Sequence, residues 1–406
     1  MAASSQSSAD VPSLPAISPK LEREIGMLIV KLKRREVMGA YAVGKLVAKL
    51  FVDLVSSCPN STAVDLMHLV RTVGWQIQNA QPLEFTIGCM TRRVLTFIRQ
   101  GVVSVRQKQT SSEKSSSKEK EAEGVERHSS LSNLFHQDTE DFSLVQGSEL
   151  RQHVTTELAE LLDEIKGSYV FKRERERERN LFIIQNIYSF FFFQKRYQAI
   201  AEQAEQHIHT NEIVLTYGRS RTVCDFLTQV KFRKFEVIVA ESTPSNWGRH
   251  MAKELSAAGI STTLITDSAV FAMMARVNIV IVGTHAVLAN GGLIAHTGLG
   301  LIAAAAKHYS VPLVVCSGLY KLCPLYAFDQ DTFQDHNSPA AVLPFSEADD
   351  PSGQVDVCNP SYDYIPPELV SLFVTNDSSH APSYIYRQLA EFYHRDDYDL
   401  TAFPST

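Results

Sequence analysis

Residues 213–240 read IVLTYGRSRTVCDFLTQVKFRKFEVIVA, with an apolar run at each end and an amphipathic segment between them. Five such apolar runs recur, at residues 213–216, 236–240, 262–266, 277–283 and 311–316. Four amphipathic segments separate them, at residues 220–230, 246–258, 269–275 and 298–308. Strands that are apolar along their whole length are typical of a parallel sheet covered by helices on both faces. We therefore predict an α/β, Rossmann-like doubly wound domain over residues 211–406.

The region before this domain has a helical pattern. Ile25, Leu28, Ile29 and Leu32 recur at spacings of three and four, and similar spacings continue downstream. Breaks at Pro59 and Pro82 divide the region into about four helices. We predict a helical domain over residues 21–105, preceded by a disordered tail over residues 1–20.

Two segments between these domains depart from globular composition. Residues 106–148 contain almost no apolar side chains in their central part and are predicted to form a flexible linker. A connecting helix is expected over residues 149–210, interrupted by SYVFKRERERERNLFIIQNIYSFFFFQK at residues 168–195. Because RERERER and SFFFFQ are what a purine repeat and the end of an intron encode, we interpret this insertion as a retained intron or gene-model error. The alternative is a charged helical segment followed by a buried strand.

Composition excludes several functional classes. The formal net charge of −6 gives no reason to expect a nucleic-acid partner. The six cysteines lack CxxC spacing, so we expect no metal and a reducing compartment. The first twenty residues lack the apolar core of a secretory signal, and no run of eighteen apolar residues predicts a membrane span. We expect a cytosolic protein without a cofactor or a membrane partner.

The turn after the first predicted strand is one candidate site. Gly218 permits a tight turn, and Ser220 can cap the following helix, whose free amides favour an anion such as a sugar phosphate. Arg219 is placed to contact a phosphate. The alternative is an ordinary strand–turn–helix connection with a solvated arginine.

A second candidate follows the fourth strand, in a predicted loop that returns to a helix near residue 298. His285 and His296 are candidates for a general base or for ligands, and Asn290 with Gly291 supplies positive-φ geometry. The alternative is that both histidines are hydrogen-bonded structural residues. Because no third group completes a catalytic set, we expect no catalytic residues and at most a vestigial ligand pocket.

Two further groups of residues are candidates for contacts with partners. Arg92, Arg93 and Arg99 extend a predicted basic surface on the helical domain, which suits an acidic or phosphorylated partner. Solvation or pairing within the domain is the alternative. The residues expected at a subunit interface are His207, His209, Asn211, Tyr384 and Tyr386. Tyr384 and Tyr386 begin an aromatic stripe on a predicted final helix over residues 382–394, and such a stripe is more typical of a core or an interface than of a cofactor site.

Several long motifs carry a family resemblance. IVLTYGRSRTVCDFL, VIVAESTPSNWGRHMAKEL and DYIPPEL resemble the translation initiation factor 2B alpha/beta/delta family, which also includes methylthioribose-1-phosphate isomerases. The C-terminal third, including YIYRQLAEFYHRDDYDL, is most similar to the family's beta members. Aligned with the isomerases, Gly218 stands at the position of the catalytic cysteine and His285 at that of the catalytic aspartate. The resemblance therefore implies that the chain is not an enzyme.

The resemblance also implies partners. Members of this type pair with homologous delta and alpha subunits, bind gamma and epsilon subunits, and together exchange guanine nucleotide on translation initiation factor 2. They also sense phosphorylation of that factor's alpha subunit. We expect a non-catalytic, beta-like regulatory subunit. The alternatives are a sugar-phosphate isomerase and a sensor that binds a sugar phosphate or nucleotide without turnover.

Overall fold

The computed structural model describes residues 18–58, 61–114, 148–167, 199–327, 333–345 and 355–400. The insertion at residues 168–195, the tail up to residue 17 and most of the predicted linker lie outside the described residues.

Five long helices form the N-terminal part of the molecule. They are α1 (Pro19–Lys33), α2 (Ala40–Ser57), α3 (Ala63–Ala80), α4 (Phe85–Lys114) and α5 (Ser148–Gly167). Side-chain caps mark the beginning of two of these helices. Ser18 accepts a hydrogen bond from the Leu21 amide ahead of α1, and Thr62 forms a reciprocal capping box with Asp65 ahead of α3. All five helices bury their apolar faces in one shared core.

The helix α4 extends further than the apolar pattern predicts. It runs to Lys114 and therefore enters the segment that begins at residue 106 and was predicted to be a linker. The Arg, Gln and Lys residues of this stretch have good helical propensity even though they offer no apolar face. Poor core-forming composition indicates weak packing, but it does not exclude helical backbone.

The remaining helices are short and alternate with strands. They are α6 (Ala199–Glu202), α7 (Ala204–His207), α8 (Arg221–Gln229), α9 (Trp247–Ala257), α10 (Val270–Met274), α11 (Leu299–His308) and α12 (Ile385–Phe392). The strands are β1 (Ile213–Tyr217), β2 (Glu236–Ala240), β3 (Ser261–Ile265), β4 (Ile279–Gly283), β5 (Ala286–Val287), β6 (Leu293–His296), β7 (Leu313–Cys316), β8 (Tyr362–Ile365), β9 (Leu372–Val374) and β10 (Ser379–His380). All five predicted strands and the four predicted crossover helices form at the expected places. The predicted final helix is shorter, because a 3-10 turn over Pro382–Tyr384 precedes α12.

The central sheet is doubly wound, as predicted. Its strand order is β3-β2-β1-β4-β7-β9-β10, and every neighbouring pair is parallel except β9 with β10. Successive side chains of β1 enter opposite cores: Val214 packs in one apolar cluster and Leu215 in the other. Burial of both faces accounts for the unbroken apolar runs.

A second sheet replaces the predicted loop between β4 and α11. The strands β5, β6 and β8 form an antiparallel sheet in the order β5-β6-β8. Gly291 at φ 80° helps to turn the chain between β5 and β6, and the Asn290 side chain accepts a hydrogen bond from the Gly292 amide. The expectation of a loop was therefore wrong. The local sequence does not reveal this sheet because its third strand comes from a segment about 70 residues later, with Leu293 opposite Ile365.

The helical part packs against this small sheet. Phe85 and Cys89 of α4 share an apolar cluster with Ala286, Ile294 and Cys323. The start of α4 therefore lies beside the connection that follows β4, where one candidate site was expected.

Candidate functional site

The turn between β1 and α8 has the predicted backbone geometry. Gly218 adopts φ 59°, and Ser220 accepts a hydrogen bond from the Val223 amide at 3.4 Å. A Cβ atom at Gly283 would lie 2.3 Å from the Ser220 hydroxyl, so the end of β4 packs tightly on this cap. Arg219 forms an ion pair with Glu254 of α9. The capped turn agrees with an ordinary strand–turn–helix connection, but Arg219 is paired with Glu254 and is not a solvated arginine.

The backbone amides nearby bind the protein's own carboxylates. Asp363 Oδ2 accepts hydrogen bonds from the amides of Gly298 at 2.7 Å and Gly300 at 3.0 Å, at the start of α11. The Asp267 carboxylate accepts from the amides of Ser242 and Thr243, at 2.9 and 2.7 Å. A phosphate at either position would have to displace an aspartate that already accepts the hydrogen bonds of these helix or turn amides.

His285 lies in a buried contact between the two parts of the chain. Its ring stacks on Tyr362 with the centroids 4.7 Å apart, and its Nε2 lies 3.4 Å from Glu84 Oε1. Burial, and next the charge of Lys321, lower the pKa of His285 to about 3. The imidazole is therefore neutral at neutral pH and is fixed in place by its aromatic neighbour.

Glu84 and Lys321 complete this buried polar contact. Glu84 accepts a hydrogen bond from Thr86 at 2.9 Å, and burial raises its pKa to about 7. Lys321 donates to the Thr284 carbonyl at 2.7 Å, and burial lowers its pKa to about 8. Sequence reasoning missed both residues. The only signal was a single lysine in the apolar run GLYKLC, and nothing marked Glu84.

The other predicted residues of this site surround the small sheet. The His296 ring lies 6.0 Å from the Tyr362 ring, so both predicted histidines contact one tyrosine. Asn290 donates to the Tyr364 hydroxyl at 2.8 Å. The structure thus brings His285 and His296 together around Tyr362, whereas Gly218 and its neighbours belong to the turn after β1.

The three arginines predicted to face a partner instead contact the C-terminal segment of the chain. Arg92, only 3% exposed, donates to the backbone carbonyls of Asp397 at 3.1 Å and Tyr398 at 2.8 Å. Arg99 donates twice to the Asp397 carboxylate, at 3.0 and 3.1 Å. The surface placement of Arg92 was therefore wrong. Its partners lie about 300 residues away in sequence, where local patterns give no signal.

Arg93 and Arg71 extend this contact. Arg93 lies 4.3 Å from the Phe392 ring centroid and donates to the Phe392 carbonyl at 3.2 Å. Arg71 pairs with the Asp397 carboxylate at 2.6 Å, and the Asp397 side chain is fully buried. The basic residues of α3 and α4 therefore hold the segment that follows α12.

The predicted interface residues differ in how far they are exposed. His207 contacts the Ser379 hydroxyl at 3.0 Å, and Tyr384 stacks on His380 at 4.4 Å, so both are engaged within the chain. His209, Asn211 and Tyr386 are exposed, and their role at an interface stays a prediction.

Neither a metal site nor a membrane-spanning helix is found in the part of the chain that the structure describes. Across those residues, no group of three or more His, Cys, Asp or Glu side chains is arranged to hold a metal ion. None of the helices described there is both long enough and apolar enough to cross a membrane.

Comparison with known proteins identifies the family. The model of the initiation factor 2 subunit family matches residues 36–379. The chain belongs to this family. A relative in Dictyostelium discoideum, named translation initiation factor eIF2B subunit beta, is 41% identical over 396 residues, covering 91% of this chain and 95% of the relative. The family resemblance expected from the sequence motifs is confirmed.

Solved structures of the family agree. A chain in the tetrameric eIF2B-beta2-delta2 complex from C. thermophilum is 27% identical, with a TM-score of 0.60, and the match covers 92% of this chain and 95% of that one. The 5-methylthioribose 1-phosphate isomerase from Pyrococcus horikoshii OT3 is 15% identical, with a TM-score of 0.52 and coverage of 91% and 87%. The likeness to the isomerase shows a shared fold and nothing about activity.

Proposed function

We propose that this chain is a beta-type subunit of the translation initiation factor eIF2B complex and acts there as a non-catalytic regulatory subunit. The observation that carries the proposal is the nearly full-length match to a protein named eIF2B subunit beta. The solved complex similar to this chain contains beta and delta subunits, which supports a homologous delta-type partner. A cytosolic location follows from this function.

The site geometry supports the absence of catalysis. A proton-transfer isomerase needs an acid and a base in reach of its substrate. His285 is buried, neutral and stacked on Tyr362, and Gly218 offers no side chain for covalent or proton chemistry. We propose that these two residues stand where related isomerases carry their catalytic aspartate and cysteine.

The same geometry bears on ligand sensing. Asp363 and Asp267 accept hydrogen bonds from backbone amides that a sugar phosphate would need. We therefore expect no thermal stabilisation of the protein across a series of inorganic phosphate, phosphosugar and nucleotide concentrations. A stabilisation that rises with concentration would instead support the sensor alternative.

The wider assembly extends this proposal. Alpha, gamma and epsilon subunits are expected to join the beta–delta core, and the assembly is expected to act on translation initiation factor 2 and respond to phosphorylation of its alpha subunit. Because Arg92 and Arg99 are held by the chain's own C-terminal segment, contact with the factor must use other residues or require that segment to move.

Co-expression with the four other subunit types, followed by affinity purification and native mass determination, tests the proposal. We expect a stoichiometric complex that exchanges nucleotide on the factor, and no turnover of methylthioribose 1-phosphate by this chain alone. A self-contained homodimer that ignores the other subunits, or measurable isomerase turnover, would contradict the proposal.

A further inference from the structure

Two buried cysteines lie together where the helical part meets the small sheet. Cys89, in the second turn of α4, is 1% exposed, and Cys323, which follows β7, is fully buried. Both belong to the apolar cluster that includes Phe85 and Ile294, and a side-chain hydrogen bond joins their thiols. The two sulfur atoms are therefore neighbours across a contact between segments that are far apart in sequence.

Other contacts hold the backbone and side chains around the two thiols. The Cys323 amide donates to the Val287 carbonyl at 2.7 Å, which ties this residue to β5. The Tyr393 hydroxyl donates to the Leu322 carbonyl at 2.8 Å, and the same side chain lies within hydrogen-bond reach of Cys89. The chain is thus anchored on both sides of the sulfur contact, which limits how far the two sulfur atoms can separate.

The two thiols differ in acidity, which sets their roles in an oxidation. The hydrogen bond from Cys89, and after it the charge of Arg92, lower the pKa of Cys323. The same hydrogen bond, together with burial, raises the pKa of Cys89. Burial also raises the pKa of Cys224 to about 11 and that of Cys316 still further. Because the thiolate is the nucleophile, Cys323 is the sulfur that attacks an oxidant, and Cys89 is the thiol placed to react with the product.

We propose that Cys89 and Cys323 form a redox-modification site, at which a peroxide creates a disulfide that fixes the helical part of the chain to the α/β part. The Cys323 thiolate attacks a peroxide oxygen, so that an S–O bond forms, the O–O bond breaks and the departing hydroxide takes up a proton to leave as water. The Cys89 sulfur then attacks the sulfenic sulfur of Cys323, the S–S bond forms, the S–O bond breaks, and a second water carries away the Cys89 proton. Two thiols are oxidised to one disulfide, and one hydrogen peroxide is reduced to two waters.

This inference goes beyond the proposed function and does not depend on it. In a reducing compartment such a pair is a dithiol at rest, and its disulfide is transient and is reversed by exchange with another dithiol. Burial limits the access of peroxide, so we expect the reaction to follow brief opening of the contact between α4 and the small sheet. The bond would close a loop from residue 89 to residue 323, which is more than half of the chain.

The test treats the purified full chain with hydrogen peroxide, blocks the free thiols after denaturation and identifies tryptic peptides by mass spectrometry. Cys358→Ser is the parent chain, because no lysine or arginine separates Cys323 from Cys358 and trypsin would leave both in one peptide. Cys89→Ala and Cys323→Ala each remove one partner from the parent. Cys224→Ala is the matched control, since it removes a half-buried thiol that lies outside the cluster. Circular dichroism checks that each chain folds.

We expect a pair of peptides linked through Cys89 and Cys323 in the parent and in Cys224→Ala, two hydrogens lighter than the two reduced peptides together. The linked pair should be absent from Cys89→Ala and Cys323→Ala, and treatment with a dithiol should remove it. The oxidised parent should unfold at a thermal midpoint about 4 °C or more above that of the reduced parent, and reduction should abolish this shift.

Four results would overturn the inference. They are Cys89 and Cys323 that stay free after prolonged peroxide treatment of the folded parent, a disulfide from either residue to another cysteine or another chain, a linked pair that forms only in urea, and a linked pair without any rise in the thermal midpoint. Because the parent chain carries each of these results, a variant that fails to fold does not affect them. The proposed function stands or falls separately, on assembly with the other subunits.

Discussion

Replacing Asp397 with asparagine removes a charge that three hydrogen bonds hold inside the protein. Its carboxylate accepts from Arg71 at 2.6 Å and from Arg99 at 3.0 and 3.1 Å, and its side chain is fully buried. Asparagine keeps the shape, but it removes the Asp397 charge from two guanidinium groups that are 5% and 15% exposed. Breaking a buried ion pair from one side costs about 3–5 kcal/mol. For a domain of ordinary stability, about 5–15 kcal/mol, this is a large fraction.

Urea unfolding of the full chain measures the loss. The chain has two tryptophans, Trp75 in α3 and Trp247 in α9. Trp247→Phe therefore leaves a fluorescence probe in the helical part, which is where we expect the transition midpoint to fall most. The control is Asp396→Asn, because the Asp396 side chain is 70% exposed and lies 3.5 Å from His394, which is itself 48% exposed. Its effect should stay within about 0.5 kcal/mol.

Two outcomes would refute this reasoning. An Asp397→Asn loss below about 1 kcal/mol would mean that solvent or rearrangement replaces the ion pairs. Equal effects of Asp397→Asn and Asp396→Asn would show that burial does not matter here. A double-mutant cycle with Arg99→Met isolates the pair, and we expect a coupling of about 1–3 kcal/mol.

Three further predictions concern stability. Burial raises the pKa of Glu84 to about 7. The stability that this group contributes to the folded state is therefore fully present below the unfolded pKa of about 4.5 and is lost as pH rises through 7. Glu84→Gln should therefore flatten the pH dependence of urea unfolding between pH 5 and 7, by up to about 1.4 kcal/mol per pH unit, and an unchanged slope would contradict this. Gly248→Ala should destabilise the protein by about 2 kcal/mol or more in thermal unfolding, since its Cβ would lie 2.2 Å from the Ala240 carbonyl oxygen. Gly26→Ala in α1 meets nothing within 4 Å and should stabilise by about 0.5–1 kcal/mol, so equal effects of the two glycine substitutions would refute the packing argument. Asp363→Ala removes the acceptor for the first amides of α11 and should lower the unfolding free energy by about 1–2 kcal/mol; no change would mean that water serves these amides equally well.

Sequence periodicity was sufficient for the parts of the fold that local chemistry determines. The strands β1, β2 and β4 could be predicted because both their faces are buried, and the turn at Gly218 because glycine and a capping serine mark it. The strands β5 and β6 could not be predicted, since β5 pairs with β6 and β6 pairs with β8, which lies far along the chain. Short strands depend on such pairing more than on propensity.

The residue types of the candidate site could be predicted from the sequence, but the contacts between those residues could not. His285 was recognised as unusual, yet its contacts with Glu84 and Tyr362 join distant segments. Arg92 and Arg99 were recognised as a basic group, but nothing local shows that Asp397 reaches them. Charges that pair across about 300 residues look like surface charges until the fold is known.

The contacts that Arg71, Arg92 and Arg99 make with the segment around Asp397 have a consequence for synthesis of the chain. Leu400 belongs to the apolar core of the N-terminal helices, so that core includes a residue translated after every helix and strand described here. The helical part therefore cannot reach its final packing while the ribosome is still making the α/β part. A protein truncated by a stop codon shortly before Asp397 would leave Arg71, Arg92 and Arg99 without the carboxylate and carbonyls that they bind. Such a product would expose an unfinished core to quality-control proteases, although almost all of its sequence is present.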